Sequence, residues 1–305
     1  MISIPKLKRG DALAIVSTAR KISKAEIQPA IDLLESWGLK TVIGETIGAE
    51  ENQFAGNDSF RASDLQQMLD SPNIKAIWCA RGGYGTVRII DNLDFTSFKK
   101  YPKWIVGYSD VIVLHSHLHK LGFESLHAPM PIDIEKQSKE AVSCLKRALF
   151  NEAFTIQYDS LDSLSRPGIG VGQLVGGNLS ILYSLCGSAS AIDTKGKVLF
   201  IEDLDEYLYH IDRMMQNLKR NGYFNQLAGL IVGGIDDMRD NTKAFGFKTD
   251  NPYGKTAKEI IAEAVAQYDF PVCFDFPAGH TNDNRALVLG RNVTLEVGEQ
   301  ISLKH

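Results

Sequence analysis

Ser109 stands where a hydroxyl group could act as a nucleophile. In "KWIVGYSDVIVLH" (103–115) an apolar run ends at Gly107, the polar residues Tyr108–Asp110 follow, and a second apolar run begins at Val111. The first run is typical of a buried strand, and the spacing of apolar residues in the second predicts a helix. Ser109 would occupy the turn between them, either as a helix N-cap or as a nucleophile beside the amide groups of the helix start.

A serine nucleophile needs a general base, and the seven histidines are the candidates. His280 follows a predicted strand and comes after Gly279, which permits an unusual backbone. It is either that base or a turn histidine held by hydrogen bonds. His115 and His119 lie one helical turn apart and could share a metal, but no glutamate follows His115 as the zinc-peptidase pattern requires. We therefore expect no metal site and no bound cofactor.

The base in turn needs an acid to orient it. The segment "VLFIEDLDEYLYHIDRM" (198–214) places four acidic residues where a predicted strand ends, namely Glu202, Asp203, Asp205 and Glu206. Acidic residues at this place are typical of a helix N-terminus, where negative charge is favourable. Glu202 directly follows four apolar strand residues, so it is the one expected to face a buried site.

The loop "ARGGYG" (80–85) also follows a predicted strand. It lacks the Gly-Lys-Ser/Thr of a P-loop, and Arg88 stands where the third glycine of G-x-G-x-x-G would be. Backbone amide groups in such a loop could stabilise an oxyanion, or the glycines could simply form a tight turn.

The elements that would position these groups alternate in the first half of the chain. Strands are predicted at 12–17, 40–44 and 75–80, and helices at 24–38, 59–72 and near 86–91. The alternation predicts an α/β fold with a mostly parallel sheet, in which ligands gather beyond the carboxyl ends of the strands. Both "GYSD" and "ARGGYG" belong at that edge.

The alternation stops near residue 150. We expect a first domain at 1–150, a polar linker at 151–171 that contains Pro167, and a second domain at 172–305. Strands at 197–203, 229–235, 272–279, 285–290 and 293–297, with a helix near 205–221, predict an α+β domain with a partly antiparallel sheet.

Composition limits the classes of function. The chain has 305 residues, 44% of them hydrophobic, and a net charge of −4, which gives no general basis for binding nucleic acid or an anionic membrane. Its four cysteines are widely separated, as is typical of reduced thiols rather than of a disulfide framework. The absence of any apolar run near ~20 residues argues against a membrane span. We expect a cytoplasmic protein.

Taken together, the motifs resemble the LD-carboxypeptidase family of serine peptidases, peptidase family S66, which includes the microcin C self-immunity peptidases. The matching segments, in family order, are "ARGGYG" (80–85), "GYSD" (107–110), "GGNLSILYSLCGS" (176–188), "FIEDLDEYLYHIDRMMQNLKRNGYF" (200–224) and "AGHTNDNRALVLG" (278–290). The resemblance implies that Ser109 is the nucleophile, Glu202 the triad acid and His280 the base. The chain departs from the family's usual Pro-Ser pair at "VSTAR" (16–20), which bears on substrate preference.

The resemblance also implies the rest of the site. The backbone N–H of Asp110 would form one side of the oxyanion hole, and Gly82 or Gly83 the other. An N-terminal Rossmann-like domain would carry the serine, a C-terminal swivelling-type domain would carry the acid and the base, and the catalytic site would form at the domain interface. Family members are commonly dimers, so a homodimer is expected.

The implied function is hydrolysis of an L,D-peptide bond, with a muropeptide tetrapeptide losing its terminal D-Ala during cell-wall recycling. The free carboxylate of that substrate needs a cation, for which Arg81 is the candidate, although Arg81 could only brace its loop. One alternative is hydrolysis of a peptidyl- or aminoacyl-nucleotide, which aromatic residues in "MRDNTKAFGFKTDNPYG" (238–254) would favour by stacking. Another is a non-catalytic ligand-binding protein on the same scaffold.

Overall fold

The computed structural model describes residues 1–159 and 162–305, which form two compact units. The first unit comprises Met1–Phe154 and Asn282–Arg291, and the second comprises Thr155–Thr281 and Asn292–His305. The second unit begins inside the expected linker, and residues 282–291, expected in the second domain, group with the first unit. Residues 160 and 161 of that linker lie outside the described residues.

Strands and helices alternate through the first unit, as predicted. Its strands are β1 (Ala12–Val16), β2 (Lys40–Ile43), β3 (Ile74–Cys79), β4 (Trp104–Gly107) and β5 (Ser125–His127). Its helices are α1 (Gln28–Ser36), α2 (Asp58–Asp70), α3 (Thr96–Lys100), α4 (Ile112–Leu121) and α5 (Lys139–Leu149). The helix expected near 86–91 is instead two short 3-10 turns, Thr86–Arg88 and Ile90–Asn92.

The five strands form a parallel sheet in the order β2-β1-β3-β4-β5. This is the flavodoxin-type doubly wound order, in which the crevice between β1 and β3 is the topological switch point where ligands bind. Strands β3 and β4 are buried along nearly their whole length, as expected for parallel strands covered on both faces. A sixth strand, Leu287–Leu289, pairs antiparallel with β5, and this pairing places 282–291 in the first unit.

The second unit has helices α6 (Leu179–Leu185), α7 (Leu208–Arg220) and α8 (Ala257–Ala264). Its early strands are β6 (Thr155–Tyr158), β7 (Gly168–Asn178), β8 (Val198–Leu204), β9 (Gly229–Asp236) and β10 (Val272–Cys273). In chain order the edge strand of the first unit is β11 (Leu287–Leu289), and β12 (Asn292–Val297) and β13 (Ile301–Lys304) complete the second unit.

The sheet of the second unit is parallel on one side and antiparallel on the other, as predicted. Its order is β10-β9-β8-β7-β12-β13-β6, with the change of direction at β7. The end of β7 runs so close to β8 that a Cβ at Gly176 would lie 1.9 Å from the carbonyl oxygen of Phe200, so only glycine fits there. Because β6 pairs with β13, part of the expected linker belongs to this sheet.

The strand predicted at 272–279 is shorter than expected. Only Val272–Cys273 pairs as a strand, and the chain then turns irregularly through Asp275 and Gly279, both of which have positive φ. Phe276 and Ala278 still make backbone hydrogen bonds to Val232 and Gly234 of β9, so this irregular turn stays beside the sheet just before His280. Across the described residues, no helix is both long and apolar enough to cross a membrane.

Candidate active site

Ser109 lies directly after β4, at the carboxyl edge of the first sheet, in a left-handed backbone conformation with φ of 62°. This conformation costs a residue other than glycine about 1–2 kcal/mol, so it persists only where the surroundings impose it. Ser109 begins a single 3-10 turn, and the N-cap of α4 is Val111. The serine therefore does not serve as the helix N-cap, and its strained turn is the kind of feature that occurs at functional sites.

Gly82 leaves open the space in front of this serine. A Cβ built on Gly82 would lie 3.2 Å from Ser109 Oγ and 3.3 Å from the backbone nitrogen of Asp110. Gly83 faces elsewhere, because its Cβ would meet Cδ and Nε of Arg20 at 2.6 Å. Of the two glycines that were candidates for the oxyanion hole, Gly82 is the one that lies against the nucleophile candidate and the Asp110 amide.

The side chain of Asp110 ties the serine turn to the glycine loop. Asp110 is 2% exposed, and its Oδ2 accepts a 2.8 Å hydrogen bond from the backbone N–H of Thr86. Burial raises the pKa of this carboxyl, while its hydrogen bonds to Thr86 act in the opposite direction. A buried carboxylate thus holds the end of the loop next to Ser109.

Arg61, which was not among the residues selected from the sequence, holds the same loop from another side. Its side chain is fully buried on α2, donates a 3.0 Å hydrogen bond to the carbonyl of Gly85, and also donates to the carbonyl of Thr18. It forms an ion pair with Asp58. The glycine loop is therefore fixed by two buried side chains, those of Arg61 and Asp110.

In the second unit, Glu202 and His280 form a hydrogen-bonded pair. Glu202 is fully buried on β8, and its Oε2 accepts a 2.7 Å bond from Nδ1 of His280 and a 3.3 Å bond from the His280 backbone N–H. With Nδ1 engaged by the carboxylate, Nε2 is the ring nitrogen that can exchange a proton. This is the arrangement that a general base and its orienting acid require.

Gly279 makes this pair possible. Its φ is 107°, and a Cβ there would lie 2.8 Å from Cβ and 2.9 Å from Oε2 of Glu202. Any side chain at this position would push the turn away from β8 and separate His280 from its carboxylate. The unusual backbone expected at Gly279 is therefore confirmed.

The neighbouring acids have structural roles. Asp203 is 1% exposed and accepts hydrogen bonds of 2.9 Å from Asn178 Nδ2 and from the Ser180 backbone, so it joins β8 to the start of α6. Burial and the adjacent charge of Glu202 raise the pKa of Asp203 to about 7. Asp205 forms an ion pair with Arg239.

The other polar candidates lie in simpler surroundings. His115 is 2% exposed and bonds through Nε2 to the Gly107 carbonyl at 2.9 Å, and burial lowers its pKa to about 4. Within the described ranges, no cluster of three or more metal-ligating side chains is present. The cysteines are free thiols, and burial raises the pKa of Cys79 and that of Cys273 to about 12.

Arg81 begins the glycine loop at the carboxyl end of β3. Its Nη1 donates a 3.1 Å hydrogen bond to the carbonyl of Lys21. Burial and the nearby positive charge of Arg20 lower the pKa of Arg81, whereas the charge of Glu26 raises it. Arg81 thus connects the glycine loop to the segment after β1.

The chain is similar to known proteins along nearly its whole length. Residues 13–128 match the LD-carboxypeptidase N-terminal domain, and residues 171–295 match the LD-carboxypeptidase C-terminal domain. It is 32% identical to a probable murein peptide carboxypeptidase of Bacillus subtilis, over 97% of this chain and 92% of that protein. It is 26% identical to the murein tetrapeptide carboxypeptidase of Pseudomonas aeruginosa, over 93% of this chain and 92% of the relative.

Solved structures agree with these matches. The muramoyltetrapeptide carboxypeptidase from Oxalobacter formigenes superimposes with a TM-score of 0.84 at 26% identity, covering 96% of this chain and 98% of the other. The microcin C7 self immunity protein MccF, in complex with aspartyl sulfamoyl adenosine, has the same fold with a TM-score of 0.84 at 21% identity, covering 100% of this chain and 99% of the other. The chain belongs to the LD-carboxypeptidase family.

Proposed function

We propose that this protein is a serine-type LD-carboxypeptidase that removes the terminal D-alanine from murein tetrapeptides, acting in the cytoplasm in cell-wall recycling. The observation that carries the proposal is the strained turn of Ser109, which sets its Oγ and the Asp110 amide beside the open space at Gly82. Relatives named as murein peptide and murein tetrapeptide carboxypeptidases support the choice of substrate. We further propose a homodimer, as the family resemblance implies.

Each proposed catalytic group has a defined chemical role. Ser109 Oγ attacks the carbonyl that precedes the terminal D-residue, and Nε2 of His280 accepts the serine proton. The Glu202 carboxylate keeps the proton on Nδ1 and stabilises the imidazolium that forms. The imidazolium then protonates the leaving amine nitrogen, and water hydrolyses the acyl-enzyme by the same route.

The negative charge that develops on the substrate oxygen requires N–H donors. The Asp110 amide and the Gly82 amide are the proposed pair, with the Gly83 amide as the other candidate for the second position. Gly82 is preferred because it lies against Ser109 and the Asp110 nitrogen, whereas Gly83 lies against Arg20. Arg81 remains a proposed contributor to binding the terminal carboxylate.

Mass spectrometry of a disaccharide tetrapeptide incubated with the protein tests this function. The wild-type protein should release one alanine, Ser109→Ala should release none, and Ser36→Ala, which changes an exposed serine on α1, should match the wild type. Release by Ser109→Ala at the wild-type rate would eliminate the proposed nucleophile. No release by any of the three would eliminate the muropeptide substrate.

A second candidate function is hydrolysis of a peptidyl- or aminoacyl-nucleotide. The observation that favours it is a group of aromatic side chains in the second unit: Tyr207 stacks on Tyr209 at 5.7 Å and meets Phe247 edge-on at 5.7 Å, and Phe245 is 44% exposed. Exposed rings of this kind can stack on a nucleobase. Cleavage of an aspartyl sulfamoyl adenosine by the wild-type protein, together with no cleavage of the tetrapeptide, would favour this function.

A further inference from the structure

Arg20 presents a charged side chain from a rigid backbone at the carboxyl end of β1. Its carbonyl accepts a 2.6 Å hydrogen bond from Ser17 Oγ, and its backbone forms an isolated antiparallel bridge with Phe54. The next residue, Lys21, is held by a 3.0 Å bond from its N–H to the carbonyl of Gln53. The side chain itself is exposed. A fixed backbone that carries an exposed charge is typical of a binding position.

The side chain of Arg20 lies across the glycine loop. Its Cδ and Nε lie 2.6 Å from the place where a Cβ of Gly83 would be. The preceding residue, Gly82, lies against Ser109. The Arg20 side chain therefore lies against the residue that follows Gly82 in the same loop, and a side chain at position 83 would displace it.

The charge around Arg20 suits an anion. Among the described residues, Arg20 forms no ion pair, whereas Arg61 and Arg88 both pair with Asp58. Arg81 lies close enough for its pKa to be lowered by burial and by the positive charge of Arg20. Two guanidinium groups held near each other repel, and an anion between them relieves that repulsion.

The position in the sheet leads to the same conclusion. Arg20 follows β1 and the glycine loop follows β3, and these two strands flank the switch point of the parallel sheet. In doubly wound folds this crevice is where ligands bind. Ser109, after the neighbouring β4, stands beside it.

We propose that Arg20 binds the free C-terminal carboxylate of the substrate, with Arg81 adding positive charge behind it. The inference rests on the proposed function, since in a peptide cut before its last residue the carboxyl carbon lies only two bonds beyond the released nitrogen. The planar guanidinium can donate hydrogen bonds to both oxygens of a carboxylate. A terminal amide, or a chain that continues past this residue, has no such pair of oxygens. Arg20 thereby determines that the enzyme removes a terminal residue and does not cut inside a chain.

Two matched substrates test this role: a tetrapeptide ending in D-alanine and the same peptide ending in D-alanine amide. In Arg20→Gln, kcat/KM for the acid should fall about 10- to 100-fold, with the amide nearly unchanged, so that the preference for the acid disappears. Arg20→Lys should recover part of that loss. Arg9→Gln, which removes an exposed arginine before β1 at the opposite end of that strand, is the control and should keep the wild-type ratio.

A binding measurement separates failure of this inference from failure of the proposed function. In the Ser109→Ala background, calorimetry should show tighter binding of the acid than of the amide, and Arg20→Gln should abolish the difference. If the wild type cleaves the acid and Arg20→Gln keeps the acid-over-amide preference, the role of Arg20 is wrong and the function stands. If nothing is cleaved but binding still depends on Arg20 and on the carboxylate, the anion site stands and the function is wrong.

Discussion

The two units prepare their proposed catalytic groups in different ways. In the first unit the geometry is built from backbone: a left-handed serine, a glycine that keeps space open and an amide beside it. In the second unit it is built from a hydrogen bond between two side chains, Glu202 and His280. Backbone geometry fails when atoms are added, whereas a hydrogen-bonded pair fails when a donor or an acceptor changes. The first unit should therefore be sensitive to size and the second to charge.

The largest effect is expected from Glu202→Gln, which keeps the size of the side chain and removes its charge. Without the carboxylate the His280 imidazolium loses its partner and the tautomer is no longer fixed, so kcat should fall about 10⁴-fold while KM changes little. Steady-state kinetics measures this loss. Glu263→Gln, at an exposed position on α8, is the charge-matched control. A loss of less than tenfold would show that the pair in the second unit does not act in catalysis.

Gly82→Ala tests whether the first unit is sensitive to an increase in side-chain size. The added methyl group would lie 3.2 Å from Ser109 Oγ and occupy the space needed by the substrate oxygen, so kcat/KM should fall about 10³-fold. Gly82 has no positive φ, so any fall in melting temperature should come only from the contacts of 3.1–3.3 Å that the new Cβ would make with Ser109 and Asp110, and the loss of activity should exceed the loss of stability. Gly298→Ala, where a Cβ would come no closer than 3.8 Å to Gln300, should retain full activity. Full activity of Gly82→Ala would mean that the reaction does not use this space.

Two buried groups, one in each unit, should make stability depend on pH in opposite directions, and Asp203 is the group in the second unit. Its pKa is raised from 3.8 to about 7, so the folded state holds a proton that the unfolded state has lost. The contribution of Asp203 to the free energy of unfolding is fully present below pH ~4. It is lost as the pH rises through ~7, by an amount on the order of 4 kcal/mol. The stability penalty of Asp203→Asn relative to wild type should therefore be largest near pH 4 and shrink towards pH 8. Hydrogen exchange of the second unit measures it, and a penalty that grows with pH would contradict this assignment.

In the first unit, the titration of His115 gives stability the opposite dependence on pH. Burial lowers its pKa from 6.5 to about 4. As the pH falls, the imidazole is therefore protonated in the unfolded state before it is protonated in the folded state. Stability should be lost as the pH falls from about 6.5 to about 4, by an amount on the order of 3 kcal/mol. His115→Gln, which keeps a donor for the Gly107 carbonyl, should cost most at pH 8 and least near pH 4. Hydrogen exchange of the first unit gives the comparison, and a cost independent of pH would exclude His115 as the source.

Much of the fold could be predicted from the sequence because its signals are local. The central strands β1, β3 and β4 are short apolar runs followed by turns, and the helices between the strands have apolar residues spaced three and four apart. The position of β11 could not be predicted in this way, since three apolar residues carry no information about a partner strand far away in sequence. The same reason explains β6, whose partner β13 is also distant along the chain.

The candidate site also contains features that could be predicted from the sequence and features that could not. Ser109 and Glu202 each follow an apolar run, so their association with β4 and β8 could be predicted, whereas the strand expected to end just before His280 ends at Cys273. The family motifs implied the proposed roles of all three residues. The left-handed conformation of Ser109 could not be predicted, because nothing in "GYSD" distinguishes a strained serine from an ordinary N-cap. Arg20 and Arg61 could not be selected either, since their importance depends on which loop packs against them. That packing is a property of the tertiary structure alone.

The return of β11 to the first sheet has a consequence for the history of the gene. The chain passes between the units at three places, after Phe154, after Thr281 and after Arg291. A single recombination event between the halves would therefore produce a hybrid in which β11 comes from one parent and the other strands of the first sheet come from the other parent. Exchanging one half for that of a distant relative should give hybrids with mismatched edge strands, and the two halves are expected to have been inherited together.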